Sequence, residues 1–341
     1  MKPELNPSHI MMIGMGFFAS KTLLSAVELG LFTELARRPM TGAEIARSLA
    51  LHPRAVPDFP DALVALGFLD RSGEGAQASY RNTPETALFL DRNGEHYVGG
   101  ILEMANARLF GFWADLTEAL RTGAPQNETK HSGEPMFAKL YEVPERLEQF
   151  MNAMSGASAS NFRMFAEKFD FSRYKTLCDV GGATGQLSCM VAAAHRHMRC
   201  TSLDLPNVVP IAQRRIEAAG LEDRVTAIGG DFFTDPLPEA EVITMGMILH
   251  DWNLEKKKLL IRKAFDALPE GGAFVAIEAL IDDARRQNAF GLLMSLNMLI
   301  EFGEAFDYTG ADFASWCREA GFRRFEVIPL AGPSSAAIAY K

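Results

Sequence analysis

The stretch Tyr174-Lys-Thr-Leu-Cys-Asp-Val-Gly-Gly-Ala-Thr-Gly-Gln-Leu-Ser188 decides the fold class of this chain of 341 residues. Residues Leu177 to Val180, which are apolar apart from Asp179, predict a short buried strand, and residues 181–185 form a turn that holds three glycines. A helix is predicted to start near Gln186. Glycines at such a turn let the backbone approach a ligand where a Cβ atom would clash. The pattern therefore predicts the ligand-binding turn of a doubly wound α/β domain.

Three segments follow from the patterns on either side of this turn. Residues 171–341 alternate strand and helix, which predicts a Rossmann-like domain. Residues 1–100 consist mainly of short helices and end in a helix, turn, helix and β-wing pattern, which is typical of a winged helix. Residues 101–170 are predicted to form a helical connector that contributes to the substrate pocket.

A winged helix often binds DNA, but the charges here argue against it. The formal net charge of the chain is −9, and residues 37–85 hold six basic and six acidic side chains. The helix that would read DNA carries Asp58 and Asp61 against a single Arg54. Because a DNA reader needs positive charge on that helix, we expect no nucleic-acid partner. A ligand-sensing regulator remains only a remote alternative.

The cysteines and the N-terminal residues bear on location and assembly. The four cysteines form no C-x-x-C pair, which predicts free thiols in a reducing cytoplasm. No membrane partner is expected, because no apolar run approaches the ~20 residues of a membrane span. The apolar stretch Ile10–Ala19 is interpreted as an interface helix of a homodimer, since Asn6-Pro7 interrupt its start. The predicted interface face comprises Ile10, Met11, Gly14, Met15, Phe18, Leu23 and Leu24.

Acidic residues follow three successive predicted strands of the Rossmann-like domain. Asp179 stands inside the first strand, Asp204 ends the second, and Asp231 follows the third. A carboxylate at Asp204 is placed to bind both hydroxyls of a ribose. A cap for the Leu205-Pro206 turn is the structural alternative for Asp204. The spacing D-x-G-G-x-x-G favours S-adenosylmethionine (SAM) over a nicotinamide cofactor, whose G-x-G-x-x-G fingerprint is absent.

The chain resembles the small-molecule O-methyltransferase family. The resemblance rests on these residues, on Met245–Trp252 and on the closing strands at 325–330 and 336–340. Caffeic acid and hydroxyindole O-methyltransferases belong to that family. The resemblance implies a class I methyltransferase domain, α/β with a seven-stranded sheet whose last strand is antiparallel, preceded by a helical winged-helix dimerisation domain. It also implies SAM as cofactor, S-adenosylhomocysteine as product, no metal, a small-molecule substrate and a homodimer.

The resemblance further assigns residues to three roles. His250 matches the catalytic base, and Glu278 and Asp307 match the acids that hold it. Residues expected to bind the cofactor are Ser158, Asp179, Gly181, Gly182, Asp204, Asp231, Phe232 and Gly246. Residues expected to line the substrate pocket are Met104, Arg108, Tyr141, Phe150, Met154, Asn297 and Met298.

Three positions depart from the family pattern. Ala183 stands where a third glycine is usual, and Gly246 replaces a lysine of plant members. Asp307 replaces a longer glutamate of plant members, which bears on how His250 is held.

Two methyl acceptors are compatible with these residues. Residues 1–9, 101–108, 250–258 and 295–304 resemble bacterial S-methyltransferases that act on 4-methylthio-2-hydroxybutyrate during dimethylsulfoniopropionate synthesis, and this favours S-methylation. Arg108 would then bind the carboxylate of the acid. The alternative is O-methylation of a phenolic metabolite with His250 as general base. A thioether has no proton to remove, so His250 would only position such a substrate.

Overall fold

The computed structural model describes residues 5–128, 130 and 144–341. The chain divides into two compact units, Met1–Gly111 and Phe112–Lys341. The predicted segment borders at residues 100 and 170 stay predictions.

The N-terminal unit combines short helices with a small antiparallel sheet. Its helices are α1 (Ser8–Gly14), α2 (Phe17–Glu28), α3 (Leu31–Arg37), α4 (Gly42–Ser48), α5 (Asp58–Ala65), α6 (Pro84–Phe89) and α7 (Gly99–Met104). Its strands β1 (Met40–Thr41), β2 (Leu69–Ser72) and β3 (Ser79–Asn82) are ordered β1-β3-β2.

The predicted winged-helix pattern is confirmed in its local details. The Thr41 hydroxyl accepts from the amide of Glu44 at 3.3 Å, and the Glu44 carboxylate accepts from the amide of Thr41 at 2.7 Å. This reciprocal capping box satisfies two amides at the start of α4. Strands β2 and β3 form the wing around the glycine-rich tip.

Helices α1 and α2 leave an apolar surface uncovered within the N-terminal unit. Ile10 is 74% exposed and Phe18 is 57% exposed. By length and composition alone, Ser8–Glu28 is apolar enough to cross a membrane. Leu24, which was predicted to belong to this surface, is instead 6% exposed in the core. The prediction that Leu24 belongs to the interface face is therefore wrong, because its side chain is buried in its own unit.

The C-terminal unit alternates strands and helices. Its helices are α9 (Leu116–Thr122), α10 (Pro144–Lys168), α11 (Gln186–Ala194), α12 (Val209–Ala218), α13 (Leu254–Ala267), α14 (Ala289–Phe302) and α15 (Gly310–Ala320), and the short α8 (Phe110–Phe112) spans the boundary between the units. Its strands are β4 (Thr176–Val180), β5 (Arg199–Asp204), β6 (Val225–Gly229), β7 (Val242–Gly246), β8 (Ala273–Glu278), β9 (Arg324–Pro329) and β10 (Ser335–Tyr340).

Among the described residues these strands form a seven-stranded sheet in the order β6-β5-β4-β7-β8-β10-β9. Strands β4 to β8 pair in parallel, and β10 is antiparallel to both β8 and β9. The predicted class I methyltransferase architecture is confirmed. The strand order reverses between β4 and β7, and ligands of such sheets bind outside the carboxyl ends of the strands at that point.

Alternation of side chains along the strands explains how the sheet is held. Phe274 and Ala276 of β8 pack in one apolar cluster, whereas Val275 and Ile277 pack in another. Successive side chains of a strand point to opposite faces, so each cluster covers one face of the sheet. All of β8 is buried, as expected for a parallel strand between two helical layers.

Candidate active site

The glycine-rich turn after β4 packs so tightly that it has no space for a Cβ atom at two of its positions. Gly181 has φ of +71°, and a Cβ atom there would lie 2.3 Å from Cδ1 of Ile248. A Cβ atom on Gly182 would lie 2.2 Å from Oγ of Ser202. Both amides donate to the carbonyl of Leu203, at 2.8 and 3.1 Å, which ties the turn to the end of β5.

Ala183, the departure from the family pattern, also adopts a left-handed conformation, with φ of +48°. Its amide donates to Oδ2 of Asp204 at 2.8 Å. The other oxygen of Asp204 accepts from the amide of Leu205 at 2.7 Å. Asp204 therefore holds the glycine-rich turn against the end of β5. Its carboxylate oxygens can accept further hydrogen bonds from a ligand. Burial raises the pKa of Asp204, although these two amide bonds oppose the shift.

Asp179 lies buried beneath the same turn. Its Oδ1 accepts from the hydroxyl of Thr244 on β7 at 2.7 Å. Burial raises its pKa to about 7, and the nearby charge of Asp204 adds to the shift while the Thr244 bond opposes it. The pair of acids gives this end of the sheet a strong preference for a cationic ligand group.

The other predicted cofactor residues lie around this edge of the sheet. Asp231 follows β6 and accepts from the amide of Phe233 at 2.8 Å. The ring of Phe232 would lie 3.8 Å from a Cβ atom on Gly181. Gly246 ends β7 against the ring of Phe162, and a Cβ atom there would lie 3.0 Å from Cε1 of that ring. Ser158 is buried on α10.

One turn earlier on α10, Ser155 makes a contact that the sequence did not indicate. Its hydroxyl lies 2.6 Å from the Thr184 hydroxyl, and both groups are buried. This bond places α10, and with it Ser158, against the glycine-rich turn.

His250 lies after β7 in a short 3-10 turn, Leu249–Asp251, and is buried among carboxylates. Its Nδ1 lies 3.4 Å from Oδ1 of Asp307 and 3.8 Å from Oε2 of Glu278. Its amide donates to Oε1 of Glu278 at 3.4 Å. The structure thus brings together all three predicted catalytic residues, and the shorter Asp307 still reaches the imidazole. These distances exceed those of strong hydrogen bonds, which in free enzymes often tighten only when substrate binds.

Asp251 completes this cluster, although the alternation of side chains along an extended segment predicts that neighbouring Asp251 and His250 point to opposite sides. Its Oδ1 lies 3.3 Å from Nε2 of His250, so both ring nitrogens face carboxylates. Burial alone would lower the pKa of His250, but Glu278, Asp251 and Asp307 raise it to about 10. Burial in turn raises the pKa of Glu278 to about 7 and of Asp251 to about 6, against the attraction of His250. The cluster is built to hold a proton on the imidazole.

Helix α14 packs against the turn that carries His250 and brings two of the predicted substrate residues. Asn297 accepts from Nε1 of Trp113 at 2.9 Å through Oδ1, and its Nδ2 lies 3.4 Å from Oε1 of Glu301. Met298, the next residue, is buried.

The remaining predicted substrate residues lie elsewhere. Phe150 and Met154 are half-buried on α10, and Phe150 packs against the apolar cluster that includes Met151 and Val208. Met104 and Arg108 belong to the N-terminal unit, where Nη1 of Arg108 lies 3.8 Å from Sδ of Met104. Tyr141 lies outside the described residues. For all of these the predicted role in substrate binding stays a prediction.

Comparison with known proteins agrees with this architecture. Residues 113–323 match the model of the O-methyltransferase domain, and residues 11–92 match that of the O-methyltransferase dimerisation domain. The chain is 41% identical over 335 residues to the tetracenomycin polyketide synthesis 8-O-methyl transferase TcmO of Streptomyces glaucescens, covering 98% of this chain and 97% of that protein. It is 35% identical over 322 residues to the N,N-dimethyltransferase OxyT of Streptomyces rimosus, covering 94% and 92%. The crystal structure of human N-acetylserotonin methyltransferase in complex with SAM matches with a TM-score of 0.91 at 28% identity, covering 100% of this chain and 99% of that one.

The chain therefore belongs to the O-methyltransferase family and is a class I SAM-dependent methyltransferase. This family membership argues against a ligand-sensing regulator and against a protein that binds a nicotinamide cofactor. The residues at the end of β4 fit SAM, because two buried acids that suit a cationic ligand lie beside a glycine-rich turn at the carboxyl ends of the strands. Asp204, Asp231 and Phe232 would hold its adenosine part, and Ser158 its carboxylate.

Replacement of Asp204 by asparagine is expected to weaken SAM binding by about 1.5–3 kcal/mol, or roughly 10- to 150-fold, because a charged acceptor for the ribose hydroxyls is lost. Asparagine retains an oxygen for only one of the two amide bonds from Ala183 and Leu205. Titration calorimetry measures the affinity, and Asp223→Asn, at an exposed carboxylate of the same unit, is the matched control. Equal affinity in the Asp204 variant and the wild type would contradict the assignment.

Proposed function

We propose that the enzyme transfers a methyl group to the hydroxyl of a phenolic or similarly hydroxylated metabolite, with His250 as the general base. The observation that carries this proposal is the imidazole of His250 with carboxylates on both ring nitrogens. The relative from tetracenomycin polyketide synthesis, an 8-O-methyl transferase, supports a hydroxyl acceptor.

SAM, when bound, supplies a methyl group on a positively charged sulfur. The chain's own residues then have two tasks, to align the acceptor and to take its proton. Glu278 and Asp307 favour a proton on Nδ1 of His250, so Nε2, which faces Asp251, is the nitrogen that would take the proton of the acceptor hydroxyl. Asp251 lies beside Nε2 and stabilises the imidazolium that results.

Matched acidities favour this proton transfer. A phenol such as the tyrosine side chain has an ordinary pKa of about 10. The carboxylates raise the pKa of His250 to about 10, so the imidazole, once it has lost its second proton, is a stronger base towards such an acceptor than an ordinary histidine. A phenolate beside a protonated His250 is then accessible inside the site, and the phenolate oxygen is the stronger nucleophile.

The expected S-methylation of 4-methylthio-2-hydroxybutyrate has less support. A thioether sulfur attacks without losing a proton, so three buried carboxylates around a histidine would serve it no chemical purpose. The relatives described above act, by their names, on oxygen and nitrogen rather than on sulfur.

An acceptor screen with labelled SAM tests the proposal. Polycyclic phenols and naphthols, an aromatic amine and 4-methylthio-2-hydroxybutyrate are compared at equal concentration. We expect label in a methyl ether of at least one phenol. Transfer to the thioether or the amine alone would overturn the proposal.

We also propose that the enzyme is a homodimer through the exposed apolar surface of α1 and α2. The surface belongs to the segment that matches the dimerisation domain, and Ile13 and Phe17 are both exposed on it. So large an apolar patch on a free chain would be a liability unless a second copy covered it.

The double variant Ile13→Glu, Phe17→Glu is expected to be monomeric, because two carboxylates in an apolar interface cannot be desolvated without partners. Light scattering after size exclusion measures the mass. The control Val327→Glu places the same charge at an exposed apolar residue of β9 and is expected to stay dimeric. A monomeric wild type at micromolar concentration, or a double variant with the mass of two chains, would contradict the proposal.

A further inference from the structure

The run Lys256-Lys257-Lys258 reads as a solvated charged stretch at the start of α13, but its middle member is buried. The side chain of Lys257 is 0% exposed, whereas that of Lys258 is 40% exposed and pairs with Glu319 at 2.7 Å. Burial of an ammonium group is costly, and the first turn of a helix repels positive charge. Lys257 therefore occupies a position that is unfavourable for a lysine unless other charges compensate.

The surroundings of Lys257 supply that compensation. Its Nζ donates to the carbonyl oxygen of Trp252, and it lies 3.6 Å from the ring centroid of Phe306 and 5.9 Å from that of Tyr308. Phe306 and Tyr308 flank Asp307 in the chain, so the ammonium group lies close to the segment that carries this carboxylate. The two rings contribute a cation–π attraction.

Lys257 also interacts electrostatically with the carboxylates around His250. Glu278, Asp307 and Asp251 all attract the ammonium group, although burial outweighs them and lowers the pKa of Lys257 to about 8. With His250 protonated and the three acids ionised, the cluster carries two negative charges, and Lys257 reduces this to one. The charged or titratable groups that face it or its acidic partners are His250, Asp251, Glu278, Glu301, Asp307 and Tyr308.

We propose that Lys257 is a positioning residue that keeps the acids around His250 ionised at neutral pH. The proposal rests on the proposed function, in which those ionised acids hold the imidazole as the base. Without the buried positive charge every acid of the cluster binds its proton more tightly. At neutral pH a protonated Glu278 or Asp251 would then no longer hold His250.

The variants Lys257→Gln and Lys257→Met separate charge from hydrogen bonding. Glutamine keeps a donor for the carbonyl of Trp252, which protects the fold, and methionine keeps only the packing volume. The control Lys258→Gln removes the same charge from the same helix outside the cluster. Two readouts are followed against pH on the full-length protein: the rate with the best phenol, and the NMR shift of the His250 imidazole, assigned by comparison with His250→Gln.

Lys257 is charged below its pKa of about 8, and Glu278 and Asp251, with pKa values raised by burial to about 7 and about 6, titrate in that range. In both Lys257 variants we therefore expect the inflection below pH 8 in the rate profile and in the His250 shift to move to higher pH by about one unit, with no movement in the control. A wild-type profile in Lys257→Gln would overturn the proposal, because the hydrogen bond alone would then suffice. A moved NMR inflection together with full activity of His250→Gln would support the role of Lys257 in the cluster and reject His250 as the base. An unmoved inflection with an inactive His250→Gln would reject the role of Lys257 and leave the proposed function intact.

Discussion

Replacing His250 by glutamine or by alanine is expected to lower kcat for a phenolic acceptor by about 10²–10⁴-fold, the usual contribution of a general base. Glutamine keeps a hydrogen-bonding group but takes no proton at neutral pH, so it should rescue little. Burial lowers the pKa of His250, but Glu278, Asp251 and Asp307 outweigh burial and raise it. The activity of the wild type should therefore rise with pH as His250 loses its second proton. Steady-state rates at saturating SAM and acceptor, from pH 6 to 10, measure both effects.

A series of acceptors of decreasing pKa makes this test specific. A phenol with electron-withdrawing substituents is already ionised at neutral pH and needs no base. The deficit of His250→Gln should therefore shrink steadily along the series. An equal deficit for every phenol would mean that His250 only positions the acceptor, and full activity of both variants would remove it from the reaction.

Much of the α/β fold was predictable because local rules govern it. The glycines at 181 and 182 stand where any Cβ atom would overlap Ile248 or Ser202, so the sequence has little freedom there. The apolar runs of β4 and β8 are buried on both faces, which is why they read as continuous rather than alternating strands. His250, Glu278 and Asp307 were assigned by family resemblance, and the fold brings them within contact distance.

The role of Asp251 was missed for a physical reason. Neighbouring side chains diverge in a strand, and that rule placed Asp251 away from His250. Residues 249–251 instead form a 3-10 turn, in which the two side chains lie on the same side and in contact. Because β7 ends at Gly246, the turn that follows it determines which carboxylates face His250.

Lys257 was missed because sequence pattern cannot distinguish a buried charge from its solvated neighbours. Three consecutive lysines on a helix point in three directions about 100° apart. Which of them faces the protein depends on where α13 packs, and that is set by contacts with residues such as Phe306, about 50 positions away in the chain.

Glu278→Gln is expected to lower kcat by about 10²-fold or more and to move the acidic limb of the rate profile to lower pH by about 1–2 units. The side chain is buried beside Nδ1 of His250, and its charge is one of three that outweigh burial in raising the pKa of that imidazole. Removing the charge lowers the pKa of His250, so the neutral form persists at lower pH. The rate falls nonetheless, since the amide of glutamine donates to Nδ1 and favours the tautomer with the proton on Nε2, the wrong nitrogen for a base.

The direction of this shift distinguishes the electrostatic argument from simple damage to the site. Glu319→Gln, which removes an exposed carboxylate near the end of α15, should leave both rate and profile unchanged. An acidic limb that stays in place in Glu278→Gln while kcat falls would mean that Glu278 orients His250 by hydrogen bonding alone and that its charge has no part in setting the proton affinity of the base.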